Sequence, residues 1–376
     1  MINKKVDTML LRKRYEKDIY GYIGLEKVFG RYIYTYKVYK DISENLPIQN
    51  FDNPLLAHVS ITDKCNLHCP YCYARDGSYA KDMEFTEYKH ILDKLDKAEV
   101  LSVILTGGEP LLHPNINEIL DYSISKKIAV LLLSNLTLLD TLNLSILKSP
   151  YLAFQISLNG IWNDDREQNE ELMQTVHNYQ RVKRLNVPII VTVVIDNKRI
   201  NLHKLFMFLE KYKITSVRFG LLINLGGCSQ VEEQINEYLS YVKEVTQEIL
   251  KYKKYHPDVY FSLQTEFVEF ADPYMARRAT LCEAGISELF IDRNGDVYPC
   301  PLFKSFDIFY CGNLLNDSIK EVWNSFAMDK MREISLRQMG CEDCNNRCGV
   351  WCRGLVYSYT KKLSDKSLFC LKNMKV

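Results

Sequence analysis

With 376 residues, 47% of them hydrophobic, the chain is long enough to fill one large core and a smaller second one. Its 48 basic and 47 acidic residues nearly cancel, which removes the electrostatic case for a nucleic acid or an acidic surface as partner. No run approaches the ~18 apolar residues of a membrane span, and the opening Met-Ile-Asn-Lys-Lys-Val-Asp leads into no apolar signal core, so a soluble cytoplasmic protein without a membrane partner is expected.

Residues 1–54 carry seven of the 25 tyrosines, and the stretch from Gly30 to Tyr39 alternates in the manner of a strand. A half-buried edge strand is the simplest account of this amino-terminal segment. Its functional counterpart is a docking edge to which an extended peptide adds a strand.

Residues 55–256 repeat a short apolar run, a turn and a helix-period segment. The expected strands are Ala57–Thr62, Val100–Thr106, Ile128–Ser134, Tyr151–Leu158, Ile189–Val194 and Ser216–Leu221, with Thr86–Ala98, Asn115–Lys126, Glu171–Leu185 and Leu202–Tyr212 as helices between them. Short apolar strands alternating with helices predict an α/β fold with a parallel sheet. In barrels of this kind the chemistry sits on loops after the strands' carboxyl ends. At the first of these ends lies Cys65-Asn66-Leu67-His68-Cys69-Pro70-Tyr71-Cys72. Twelve cysteines in a chain without a secretory signal point to metal, since cytosolic thiols stay reduced. An iron–sulfur cube usually takes four thiolates, so three leave one iron open to a ligand. A zinc ion completed by His68 is the competing reading.

The second strand ends in Thr106-Gly107-Gly108-Glu109-Pro110, where paired glycines permit close backbone approach to a ligand and Glu109 adds a carboxylate acceptor. The third ends in Ser134-Asn135 and the fourth in Ser157-Leu158-Asn159-Gly160, with Arg166 downstream. Cys228 follows the sixth strand in Leu225-Gly226-Gly227-Cys228, as a small buried apolar residue or as a thiol at the lip with a chemical role. Residues 257–376 hold Cys282, Cys300, Cys311, Cys341, Cys344, Cys348, Cys352 and Cys370. The segment from Leu289 to Cys300 reads as a hairpin with an Asn-Gly turn, and Ser318–Ser325, with Trp323 inside it, as a short helix.

The three-cysteine loop with Tyr71 before its last cysteine resembles the signature of the radical S-adenosylmethionine (radical SAM) enzymes, and the spacing from Cys282 to Cys370 resembles their SPASM extension. The resemblance covers residues 57–376. It implies a partial (β/α)6 TIM-like barrel followed by a small cysteine-rich domain, with S-adenosylmethionine and three [4Fe-4S] clusters as cofactors. Cys65, Cys69 and Cys72 would hold the radical cluster, whose open iron chelates S-adenosylmethionine and reduces it to a 5'-deoxyadenosyl radical. Tyr71 would lie near the adenine, and Gly107, Gly108, Glu109, Ser134, Asn135, Ser157 and Arg166 would contact the cofactor. Asn159 stands where the family usually has Asp. Cys341, Cys344, Cys348 and Cys370 fall to the distal auxiliary cluster, and Cys282, Cys300 and Cys352 to the proximal one. Cys311 or an open iron is left for its fourth position.

Auxiliary clusters are acceptors for the electron released when a substrate radical forms a new bond. The resemblance therefore implies a peptide maturase that installs an intramolecular carbon–carbon or thioether crosslink in a ribosomally made precursor. Its partners would be the precursor peptide, an electron donor such as a flavodoxin or ferredoxin, and a separate leader-binding protein. The alternatives are a peptide α-carbon epimerase using Cys228, an anaerobic sulfatase-maturing enzyme, and a zinc-stabilised binding module. Sulfatase-maturing relatives usually carry Asp after the cysteine matching Cys300, where this chain has Pro301.

Overall fold

The computed structural model describes the backbone of residues 16–17, 21–28 and 31–38, and residues 51–74, 81–158, 170–196, 200–225, 235–263, 282–334 and 352–366. Strands β1 (Glu16–Lys17), β2 (Gly21–Val28) and β3 (Arg31–Val38) form a small antiparallel sheet in the order β1-β2-β3. The alternation around residues 30–39 is thus a strand, and it lies at an edge of that sheet.

The main sheet is built from the six expected units. Strands β4 (Leu56–Thr62), β5 (Ser102–Gly107), β6 (Ala129–Ser134), β7 (Leu152–Ser157), β8 (Ile189–Ile195) and β9 (Ser216–Leu221) lie side by side in chain order, all parallel. Helices α1 (Phe85–Lys97), α2 (Ile116–Ser125), α3 (Leu144–Leu147), α4 (Glu170–Arg184) and α5 (Leu202–Lys211) make the crossovers. The sequence of α1 shows why. A reciprocal capping box between Glu84 and Glu87 satisfies its first turn, and Tyr88, Ile91, Leu92 and Leu95 form one buried stripe. Each such aliphatic, when fully buried, contributes ~1.5–3 kcal/mol.

Alternation along the strands separates two faces. Val59, Ile61, Val103, Leu105, Val130, Leu132, Phe154, Ile156, Val191, Val193, Val217 and Phe219 are buried in the core. The opposite face is incompletely covered and carries His58, Ile104, Leu131 and, two rows further, Ser157, Thr192 and Arg218, in register across neighbouring strands. That concave face is where a substrate has room.

The sheet has ten strands, four more than the repeating units supply. Beyond β9, helix α6 (Ile235–Tyr255) leads to β10 (Tyr260–Leu263), which adds parallel to β9. At the other edge β11 (Glu288–Ile291) adds parallel to β4 and turns through a hairpin into β12 (Asp296–Tyr298), followed by β13 (Gly312–Asn313). The hairpin matches the Asn-Gly expectation. Gly295 sits at φ +84°, and the Asp292 carboxylate accepts hydrogen bonds from the amides of Asn294 and Asp296 at 2.8 and 3.1 Å. Further along, Ile319–Trp323 is the expected short helix, with a capping box between Ser318 and Glu321. Trp323 is fully buried and donates from Nε1 to the Phe51 carbonyl at 2.8 Å. The cysteine-rich segment is therefore joined to the barrel by backbone pairing as well as by side chains.

Candidate active site

The three-cysteine loop leaves the carboxyl end of β4. Cys65 is exposed, Cys69 and Cys72 are partly buried, and the Cys72 amide donates to the Cys69 carbonyl at 3.2 Å. The Cys65 thiol is pushed above its ordinary value, by desolvation first and then by the negative charges of Glu109, Cys69 and Cys72. Three thiols on one short loop beside a carboxylate are a donor set that fits an iron–sulfur cube. Among the described residues no three His, Cys, Asp or Glu side chains converge as ligands of a single metal ion, and His68 is exposed. A cube asks for something different, since each thiolate takes its own iron.

The glycines do more for the protein's own packing than the sequence suggests. A Cβ on Gly107 would stand 2.1 Å from the Thr62 carbonyl oxygen, and one on Gly108 would stand 2.2 Å from that of Lys64. Both positions are held by backbone: the Gly108 amide donates to Thr62 O at 2.8 Å and the Glu109 amide to Lys64 O at 2.7 Å. The β5 lip is thereby pressed against the cysteine loop, a contact that any side chain would pry apart.

Glu109 is 1% exposed. Its Oε1 accepts from Ser134 Oγ at 2.7 Å and the Leu111 amide at 3.0 Å, and its Oε2 accepts from the Asn135 amide at 2.7 Å. Burial pushes its pKa up, and these three donors pull against that. Ser134 and Asn135 are thus engaged with Glu109, forming one polar unit across the ends of β5 and β6. Asn135 extends the unit: its Nδ2 donates to Asn66 Oδ1 at 2.9 Å, and Asn66 Nδ2 donates to Thr137 Oγ1 at 2.9 Å. Asn66, between the first two cysteines, is a residue that motif reading passed over. From behind, Thr175 and Asn178 of α4 donate to the carbonyls of Asn135 and Leu136 at 2.8 and 2.9 Å. Ser157 ends β7 exposed on the concave face, and Tyr71 packs partly buried against the core. Arg166 and Asn159 lie outside the described residues.

A second cysteine group faces the first. Cys300, at the end of the β11–β12 hairpin, is buried, and its thiol is pushed well up by burial, Cys282, Cys352 and Glu288. Cys282 is pushed up to about 11, chiefly by burial. Cys352 caps the helix Arg353–Thr360 and accepts from the Leu355 amide at 3.4 Å. The structure thus brings Cys282, Cys300 and Cys352 together. It does not bring Cys311 to them: that thiol donates to the Phe309 carbonyl at 3.4 Å, and its charged and polar neighbours are Ser325 and Arg332. Cys228, Cys341, Cys344, Cys348 and Cys370 lie outside the described residues.

Tyr73 stands between the two groups. Burial pushes its hydroxyl up to about 12, with Cys72, Cys300 and Cys352 adding to the rise and Arg218 opposing it. No motif marks Tyr73, although its place directly after Cys72 is a usable signal. Asp63 at the β4 lip pairs with Arg293 of the hairpin turn, and Lys304 Nζ lies 3.8 Å from its other oxygen. One cavity is lined by Cys65, Cys69, Cys72, Gly107 and Gly108 on one side and by Phe290, Pro301, Lys304 and Ser305 on the other. A larger cavity, about 750 Å³, lies elsewhere between Phe51, Lys320 and Arg332, and no cysteine lines it.

Comparison with known proteins agrees with this geometry. Residues 59–197 match the family described as the Radical SAM superfamily, and residues 282–348 match SPASM, described as an iron–sulfur cluster-binding domain. The antilisterial bacteriocin subtilosin biosynthesis protein AlbA of Bacillus subtilis is 27% identical over 313 residues, which cover 79% of this chain and 66% of that protein, just under two thirds of its length. Mycofactocin maturase MftC of Mycobacterium tuberculosis is 23% identical over 326 residues, covering 81% of this chain and 79% of that one. SuiB of Streptococcus suis bound to S-adenosylmethionine superposes with a TM-score of 0.68 at 18% identity, over 85% of this chain and 78% of that one. With Cys65, Cys69 and Cys72 lining one cavity inside the first matched stretch and Cys282 and Cys300 inside the second, the chain carries a radical SAM domain over residues 59–197 and a SPASM iron–sulfur cluster-binding domain over residues 282–348.

Proposed function

We propose that this protein is a radical SAM/SPASM peptide maturase that forms an intramolecular carbon–carbon or thioether crosslink in a ribosomally made precursor. The observation that carries the reading is the shared cavity, lined on one side by Cys65, Cys69 and Cys72 and on the other by the hairpin that presents Cys300. A substrate held there lies against the first cysteine group and against Pro301, the residue that follows Cys300. The names of AlbA and MftC as a bacteriocin biosynthesis protein and a maturase support a peptide as the substrate class, as does the SuiB structure described with its precursor peptide SuiA.

When bound, the cofactors supply one-electron reductive cleavage of S-adenosylmethionine at the three-cysteine loop and an electron acceptor at the SPASM cysteines. The chain's own residues do the positioning. Glu109, Ser134, Asn135 and Asn66 lock the cysteine loop to the β5 and β6 lips. Asp63 and Arg293 staple the hairpin to the same lip. Tyr73 lines the cavity directly after Cys72 and lies near Cys300 and Cys352 as well. Against the sulfatase-maturing alternative stands Pro301, which lines the cavity directly after Cys300 and offers no carboxylate base there.

Co-expression with a short open reading frame adjacent to the gene, followed by mass spectrometry of the peptide, tests the reaction. A crosslink removes two hydrogens and lowers the mass by about 2 Da. An unchanged mass with inverted chirality would instead assign epimerisation.

A further inference from the structure

The six parallel strands from β4 to β9 hold two ionisable side chains, His58 and Arg218. Strands of a covered parallel sheet read as nearly continuous apolar runs, so a charge inside one has a local reason. His58 has a partner in Glu288, 3.1 Å away. Arg218 is exposed, and among the described residues its guanidinium makes no hydrogen bond or ion pair. Its strand neighbours Val217 and Phe219 are fully buried in the core, which turns Arg218 onto the concave face. Register sets it beside Thr192 and, one strand further, Ser157, the last residue of β7, so it stands level with the strand ends. Thr192 Oγ1 is sealed from solvent and meets no hydrogen-bond partner among the described residues. A hydroxyl left this way weakens the fold unless something pairs with it. The lip of β9 also reaches the cavity of the three-cysteine loop: Leu225, four positions past the strand, lines it with Cys65, Cys69 and Cys72.

Taking the substrate to be a peptide, as above, we propose that Arg218 and Thr192 form a subsite that binds a carboxylate of that peptide, from an acidic side chain or its carboxyl terminus. A guanidinium presents a planar fork that matches a carboxylate through two parallel hydrogen bonds, and carboxylates are the anions an unmodified peptide carries. Thr192, about 4.8 Å away across the sheet, adds a hydroxyl donor. The residues expected to contact S-adenosylmethionine come from the ends of β4 to β7 and the loops after them, whereas Arg218 lies two strands beyond Ser157, about 10 Å along the sheet. The subsite therefore selects among peptides: one without the carboxylate leaves the Thr192 hydroxyl unpaired and the guanidinium without its counter-charge.

The test uses the full chain, anaerobically reconstituted with iron and sulfide, and as probe the fluorescently labelled peptide encoded by the short open reading frame adjacent to the gene. Anisotropy gives its Kd, alongside that of peptides with each Asp→Asn, each Glu→Gln or an amidated carboxyl terminus. Arg218→Gln is expected to weaken the parent peptide at least about tenfold. One neutralised peptide should lose the same factor on the parent protein and show no further loss on Arg218→Gln. Arg218→Lys should retain part of the affinity, and Thr192→Val should lose less than Arg218→Gln with the same peptide dependence. Iron content and the Kd of S-adenosylmethionine should match the parent in all three variants. The assignment is wrong if Arg218→Gln binds the peptide like the parent, or if its loss is the same for every neutralised peptide. It is equally wrong if S-adenosylmethionine affinity falls instead, which would give the arginine to the cofactor. Where Arg218→Gln loads less iron, Arg218→Lys and the peptide series on the parent protein decide, and a series in which no neutralised peptide loses affinity overturns the subsite. A parent protein that binds none of these peptides ends the peptide reading itself, and the subsite with it.

Discussion

Replacing Cys65, Cys69 and Cys72 together by alanine abolishes formation of 5'-deoxyadenosine from S-adenosylmethionine and lowers the iron content by one cluster's share. The reason is positional. Each of the three thiols takes its own iron, and the structure offers no other cysteine at the β4 lip among the described residues. The auxiliary iron stays, because Cys282, Cys300 and Cys352 are carried by the hairpin and by the helix Arg353–Thr360. The fold stays as well: all three side chains are exposed or partly buried. Product analysis under anaerobic reduction reads the first effect, and iron and sulfide determination reads the second. Undiminished 5'-deoxyadenosine in the triple variant contradicts the assignment of this loop.

The second large effect is on Glu109. Glu109→Gln keeps the size of the side chain and removes one acceptor oxygen. The remaining carbonyl can serve Ser134 and Leu111, but the new amide then points its hydrogens at the Asn135 amide, a donor facing a donor in a site that is 1% exposed. Leaving a buried donor unpaired costs ~1–3 kcal/mol, and more where the lost acceptor was charged. The expected loss is about 3 kcal/mol, seen as a lower melting temperature of the full chain. The damage extends past stability, because Asn135 holds Asn66 and Asn66 belongs to the cysteine loop. Reconstituted radical-cluster iron should therefore also fall. A variant that melts like the parent and loads the same iron would show that this carboxylate does not organise the lip.

Much of this scaffold was legible in the residues. Apolar runs with helix-period segments between them mark β4 to β9 to within about two residues, because periodicity is a local property that the parallel sheet repeats six times. The three-cysteine loop and the Gly107–Glu109 turn fall at strand ends as expected. Long-range pairing was not visible: nothing local to β11 says that it will lie parallel to β4, or that β10 will follow β9. For the same reason the acceptor role of Glu109 toward Ser134 and Asn135, 25 and 26 positions away, was hidden. Spacing offers Cys311 as a fourth proximal ligand, and only the folded chain shows its thiol donating to the Phe309 carbonyl. Tyr73 and Asn66 escaped notice because their importance lies in what they bridge.

Hydrogen-atom abstraction from a peptide held in the cavity beside the three-cysteine loop is the step on which the proposed reaction rests. It is tested most directly by supplying the anaerobically reconstituted, reduced protein with S-adenosylmethionine and a precursor peptide made from deuterated amino acids. The account predicts deuterium in the 5'-deoxyadenosine together with a peptide that has lost one deuterium to the cofactor and a second hydrogen to solvent or a base. Deuterium-free 5'-deoxyadenosine with an unaltered peptide would contradict it.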